Sequence, residues 1–170
     1  MQLVIDSNGI LAATHADFQE ITGLYPACLV LSVPDSTAVE IGQAWAVSLA
    51  DAQAARIAQA KAAADAVLAP LATRFSDYER QTWGAQLAEA QAILADPALA
   101  ADKYPTIAGI VAVTGESVAD FAAAVLKNNE DWTRVTANVI GQRQALCAGV
   151  KACATLEEVL AFPVAVALPA

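Results

Sequence analysis

Residues 48–74 read SLADAQAARIAQAKAAADAVLAPLATR, and this stretch divides the chain into a β-prone part before it and a helix-prone part after it. Alanine, which has the highest intrinsic helix propensity, fills nearly half of it. Ser48 with Asp51 in the first turn supplies a hydroxyl N-cap and a carboxylate, so a helix is predicted from Ser48 onward. Ile57, Ala64 and Leu71 recur every seven residues, with Ala60 and Val67 between them, a narrow small-residue seam of the a/d type that suits close helix contact. At about 1.5 Å per residue the helix would run roughly 40 Å, longer than the few strands before it could cover. Two readings follow: an oligomerisation seam through Ile57, Ala60, Ala64, Val67 and Leu71, or an amphipathic helix folded onto its own domain. Pro70 removes one hydrogen bond and clashes one turn back, so a kink or a short break is expected near Ala69.

Upstream, the apolar runs Leu3 to Asp6 and Ile10 to Thr14 flank Ser7-Asn8-Gly9, and an Asn-Gly pair between such runs is a strong hairpin signal. Asp17 to Pro26 reads as a loop. Cys28 to Val33 is a strand closed by Pro34-Asp35, and Gly42 to Val47 is a candidate last strand. So small a sheet is marginal by itself.

Downstream, Ser76 with Glu79 opens a helix predicted over 77–95, whose face carries Trp83, Leu87, Ala90 and Leu94. Pro105 opens a short helix to Val113, stopped by Gly115. Ser117 with Asp120 starts another, on which Val118, Phe121, Val125 and Leu126 lie. A longer helix is predicted around Trp132, Val135, Val139, Leu146 and Val150, with Gly141 its weak point, and Thr155 with Glu158 opens a last one ending near Pro163. The apolar tail Val164 to Leu168 needs a docking place. The expected class is α+β, mostly α. The expected division is a β-rich module at 1–47, a linking or oligomerisation helix at 48–75, a helical bundle at 76–163 and an apolar tail at 164–170.

The 170 residues carry a formal net charge of −9, with nine Lys and Arg against 18 Asp and Glu, which argues against a phosphate-tracking surface and hence against nucleic acid. Although 57% of residues are hydrophobic, much of this is alanine, and membrane insertion is not expected. The start MQLVIDSNG lacks the pattern of a secretory signal, so synthesis and folding in a reducing cytoplasm are expected. Cys28, Cys147 and Cys153 fit no zinc spacing and read as buried free thiols. His15, the single histidine, has no nucleophile motif pointing to it. Glu130-Asp131 and Glu157-Glu158 point about 100° apart on a helix and do not make a two-carboxylate site. No phosphate-binding glycine loop or HExxH stretch is present in the sequence, and no catalytic, cofactor or metal residue is expected. Trp83, Tyr104, Phe121, Trp132 and Phe162 read as bundle core rather than a binding cage.

From Arg74 to Asp96, RFSDYERQTWGAQLAEAQAILAD, and on through Pro105-Thr106-Ile107, Gly115-Glu116-Ser117, Val125-Leu126-Lys127, Ile140 to Leu146 (IGQRQAL) and Ala154 to Glu158 (ATLEE), the chain resembles small tail-fibre and tail-fibre-assembly proteins from the tail modules of double-stranded DNA bacteriophages, Mu-like ones included. The resemblance covers roughly Arg74 to Phe162 and extends loosely to the first half; its motifs are helix caps and core positions, not a site. It implies a non-enzymatic role at the virion tail in host adsorption, as a short fibre or fibre-attachment subunit. The alternative it implies is a chaperone that binds the fibre during assembly; a tail-associated cell-surface hydrolase ranks below both. Implied partners are copies of itself, most naturally a trimer, and other tail or baseplate proteins, after synthesis in the bacterial host. Pro70 departs from a long coiled coil and favours a short fibre or a hinge.

Overall fold

The computed structural model describes residues 1–6, 8–16, 25, 28–33, 37–44 and 46–169. Three short strands, β1 (Gln2–Ile5), β2 (Leu11–His15) and β3 (Leu29–Ser32), precede five α-helices. These are α1 (Leu49–Ala72), α2 (Asp77–Ala95), α3 (Pro105–Thr114), α4 (Val118–Ala152) and α5 (Leu156–Ala161), with a 3-10 turn at Ala101–Lys103. The class is α+β, mostly α. The chain forms two compact units: residues 1–69 with 138–170, and residues 70–137, so that α1 and α4 each run from one unit into the other. The expected boundaries at 47/48, 75/76 and 163/164 do not coincide with this division, because the end of the helical region packs on the sheet.

In the first unit the sheet has the order β2-β1-β3, antiparallel throughout. The β1–β2 hairpin forms as Asn8-Gly9 suggests: Gly9 takes a φ of 77°, and its N–H donates to the Asp6 carbonyl at 3.0 Å. The Asp6 carboxylate also accepts from the N–H groups of Asn8 and Ile10 at 2.8 and 3.0 Å, which ties the loop to one side chain. Of the expected strand Gly42 to Val47, Trp45 lies outside the described residues; among the described ones no strand forms, and Ala44 makes an isolated bridge to Ile10. Of the expected loop 17–26, only Tyr25 lies among the described residues. Leu3, Ile5, Leu11 and Leu29 join Ala52 of α1, Val150 of α4, and Val159 and Leu160 of α5 in one core. The helices therefore supply the cover that three strands cannot give themselves.

Each predicted cap is present as a hydrogen bond. The Ser48, Ser76 and Ser117 hydroxyls accept from Asp51, Glu79 and Asp120 N–H at 3.0–3.1 Å, and Thr155 with Glu158 completes a reciprocal capping box. α1 continues through Pro70 to Ala72 with no break. Its end is held by Arg80, whose guanidinium donates to the Ala72 carbonyl at 2.7 Å, a cation on the negative end of a helix. The two helices expected after Ser117 are one, α4, of 35 residues. The polar run Asn128 to Asp131, between the residues that marked the two expected helices, is helical, and Lys127 and Arg134 both pair with Asp131 across one turn.

The apolar tail docks on its own unit. Gln142 of α4 donates to the Ala167 carbonyl at 2.8 Å and accepts from the Ala167 N–H at 3.1 Å, as a neighbouring strand would. Phe162, just before the tail, packs against Gly149 of α4.

In the second unit Ala90 and Ile93 of α2, Ile107 of α3 and Ala122 of α4 form the core, with Tyr104, Phe121 and Val125 packed against it. Tyr104 offers no side-chain cap to α3. Glu89 of α2 does so instead, its carboxylate accepting from the Thr106 and Ile107 N–H groups at 3.1 and 2.8 Å.

Candidate functional site

The expected seam on α1 is taken up by the chain's own packing. Ala60 is fully buried and Ala64 is 3% exposed, while Ile57 packs against the sheet core. Ala60 and Ala64 are therefore covered within the chain itself. Val67 and Leu71 are half-buried.

Beside this seam lies a residue that sequence reasoning passed over. Arg56 is 1% exposed. Its guanidinium donates to the Cys28 carbonyl at 2.8 Å, to Gln59 Oε1 at 3.0 Å, to the Val159 carbonyl at 3.2 Å and to the Leu160 carbonyl. Gln59 donates in turn to the Cys28 carbonyl at 2.7 Å. Arg56 thus joins the start of β3 to the end of α5, where helix carbonyls favour a cation. Burial lowers the Arg56 pKa from its ordinary value, and burial likewise pushes the Cys28 thiol up. Its signal in the sequence was position: Ala52, Arg56, Gln59 and Ala60 share the buried face of α1. This is a structural fastening rather than a reactive centre.

The other chemical candidates are placed as follows. His15 Nε2 lies 3.0 Å from the Tyr25 hydroxyl. Cys28, Cys147 and Cys153 are free thiols and half-buried, not buried as expected. Among the described residues, no three His, Cys, Asp or Glu side chains gather in a metal-binding group, and no single helix is long and apolar enough to cross a membrane.

What the structure does bring together is a groove of about 490 Å³ within the 70–137 unit. One wall is α4, which contributes Phe121, Val125, Asn128, Trp132 and Val135. These positions step by four, three, four and three residues, the a/d spacing of a coiled-coil seam. The other wall is α2 with Glu79, Trp83, Gln86 and Leu87, and Leu71, Arg74 and Phe75 close one end. The rings are ordered edge to face: Phe75 meets Trp83 at 5.1 Å, and Trp83 meets Trp132 at 5.8 Å. Of the five aromatics expected in the core, Tyr104, Phe121 and Phe162 do pack on a core, whereas Trp83 and Trp132 form groove wall.

The groove carries charges of both signs. Arg74 and Glu79 line it, and Asp131 is held by Lys127 and Arg134. The hydrogen bond and charge of Lys127, with a smaller contribution from Arg134, hold the Asp131 carboxyl below its ordinary pKa. The groove is a mostly apolar surface with heptad spacing along α4 and amides within it. Neither a protein-family model, nor a curated protein, nor a solved structure matches this chain. The groove therefore has to be read from its own geometry.

Proposed function

We propose that this chain is a non-enzymatic component of a bacteriophage tail, acting through protein–protein contact in the building or attachment of the tail fibre. The observation that carries the contact is the α4 stripe Phe121, Val125, Asn128, Trp132 and Val135, which lines an open groove at coiled-coil spacing. The tail assignment rests on the motif order from Arg74 to Glu158 described above.

Between the two roles, one observation favours assembly chaperone over fibre subunit. A trimeric shaft built on α1 needs Ala60 and Ala64 at a chain surface, and both are buried within the chain. A chaperone needs no such shaft. Mass spectrometry of purified virions, alongside affinity purification from infected cells, separates the roles. A chaperone co-purifies with the fibre and is missing from the mature particle; a fibre subunit is found in the particle. Absence from both would overturn the tail assignment. Hydrolysis of cell-surface polysaccharide that disappears on His15→Ala would overturn the non-enzymatic reading.

A further inference from the structure

We propose that the face of α4 from Asn138 to Gly149 is a docking site for an extended, uncharged segment of a partner protein, and that the chain's own apolar tail occupies it as a displaceable stand-in. The site lies within the unit of residues 1–69 and 138–170. It is separate from the groove and does not rest on the bacteriophage assignment.

Three observations carry it. The first is the occupant already seated there. Phe162 packs against Gly149 and Ala167 pairs with Gln142, so the tail runs back along α4, opposite to the direction of the helix. Val164 and Val166 are half-buried while Ala165 and Ala167 are exposed, the alternation of an extended segment with one face against a surface. No charged residue lies between Phe162 and Pro169, so the site reads shape and backbone rather than charge. The tail thereby shows what fits: an extended segment with aliphatic side chains at every second position.

The second is the clamp. The Gln142 amide presents a donor and an acceptor side by side, as a residue of a neighbouring strand would, and it meets both backbone groups of Ala167. Its nitrogen also donates to Asn138 Oδ1 at 2.6 Å, one turn earlier on the same helix. The amide is therefore oriented by α4 itself, and an incoming segment meets a clamp already aimed. The third is how little holds the tail. Among the described residues, the two bonds to Gln142 are the only hydrogen bonds made by the backbone of Val164 to Leu168, and both are exposed. The side chains are half-buried at most, and Leu168 is 49% exposed. Phe162, by contrast, packs on the core of the sheet and α5, so the tail can detach beyond it with that core intact. A second copy brings only a tail already seated on its own α4 with the same contacts, so exchange between copies gains nothing. The occupant that shifts the equilibrium is a segment of another protein that binds the open site better than the tail does.

The test uses the full chain and, as probe, the peptide PVAVALP, which copies residues 163–169. The double variant Val164→Asp/Val166→Asp changes the tail alone and should release it; circular dichroism checks that helical content is kept. Titrated to about 2 mM and followed by amide NMR, the peptide should shift the Gln142 side-chain amide and the Gly149 backbone amide of this variant. The parent should need at least about tenfold more peptide for the same shift, because its tethered tail competes. A peptide carrying N-methylalanine at the clamped position lacks the N–H and should bind at least about tenfold more weakly, as should the plain peptide when Gln142→Ala is added to the double variant. The proposal is overturned if the variant shows no shifts, if parent and variant respond equally, or if binding ignores both the N-methyl group and Gln142→Ala. A parent that sediments as a dimer and becomes monomeric in the double variant would make a second copy's tail the occupant, and would overturn the assignment to a partner protein.

Discussion

Gly149 and Gly141 both lie inside α4, eight residues apart, and the structure predicts opposite responses when each becomes alanine. In a helix interior, alanine is favoured over glycine by about 0.8–1 kcal/mol. A Cβ on Gly141 meets nothing within 4 Å, so Gly141→Ala should gain most of that. A Cβ on Gly149 would stand 2.4 Å from Cζ and 2.9 Å from Cε2 of Phe162. To reach ordinary contact at 3.4 Å, the ring must retreat by about 1 Å. Phe162 packs against the core of the sheet and α5, so retreat loosens that core, and overfilling of this kind costs about 1–3 kcal/mol. The balance for Gly149→Ala runs from neutral to a loss of about 2 kcal/mol, which separates the two variants by about 1–3 kcal/mol. In a chain of this length, 1 kcal/mol moves Tm by about 2–4 °C, well within reach of a melt followed by circular dichroism. Shortening the ring should reverse the sign: in a Phe162→Leu background, Gly149→Ala should stabilise, and the non-additivity measures the contact. If Gly149→Ala stabilises the parent chain as much as Gly141→Ala does, the Phe162 contact does not constrain α4 and the reasoning fails.

Other consequences are equally direct. Arg56→Met removes a guanidinium that serves the carbonyls of buried Val159 and Leu160, while Gln59 still serves that of Cys28, so urea unfolding should show a loss of about 3 kcal/mol; Arg56→Lys, lacking the fork, should recover only part. Gln142→Ala should free the Ala167 N–H, read as faster hydrogen exchange at that amide with little change in Tm, because the bonds it breaks are exposed. Backbone donation from Ile10 in the main, then Asn8, holds the Asp6 carboxyl below its usual 3.8. A depressed pKa adds stability above the unfolded value and loses it as pH falls through the folded value, so the hairpin should weaken below about pH 4, and Asp6→Asn, which cannot titrate, should flatten that dependence in an acid titration. Ala64→Gln puts an amide into a buried site and should cost a few kcal/mol of folding stability with no change in subunit number, while Ala62→Gln, at a half-buried position, should cost clearly less. Dissociation of an oligomer by Ala64→Gln, with folding intact, would return the seam to α1.

Helix starts were legible because a cap is a local device: Ser48, Ser76, Ser117 and Thr155 each need only a backbone N–H in the following turn, and the sequence contains both partners. What crosses the chain was not legible. Periodicity marks a buried face without naming what buries it, so Ile57, Ala60 and Ala64 read equally well as a seam for another chain. Ala60 and Ala64 are buried within the chain, and Ile57 packs against a core that includes Val150, Val159 and Leu160 from far along the sequence. Arg56 was hidden for the same reason. Its partners, Cys28, Val159 and Leu160, lie 28, 103 and 104 residues away, and a lone charge on an alanine-rich helix looks solvated until those carbonyls are in place.

The groove shows how a local rule can hide a longer pattern. Phe121 and Val125 belonged to one predicted helix and Trp132 and Val135 to the next, with the polar run from Asn128 to Asp131 between them. Helical continuity through Asn128 to Asp131, held by the Lys127–Asp131 and Arg134–Asp131 pairs, joins them into one stripe at heptad spacing. A leucine at position 128 would have extended the apolar run and shown the stripe in the sequence. The asparagine there is exposed in the chain and interrupts that run, so periodicity alone divides the stripe into two helices.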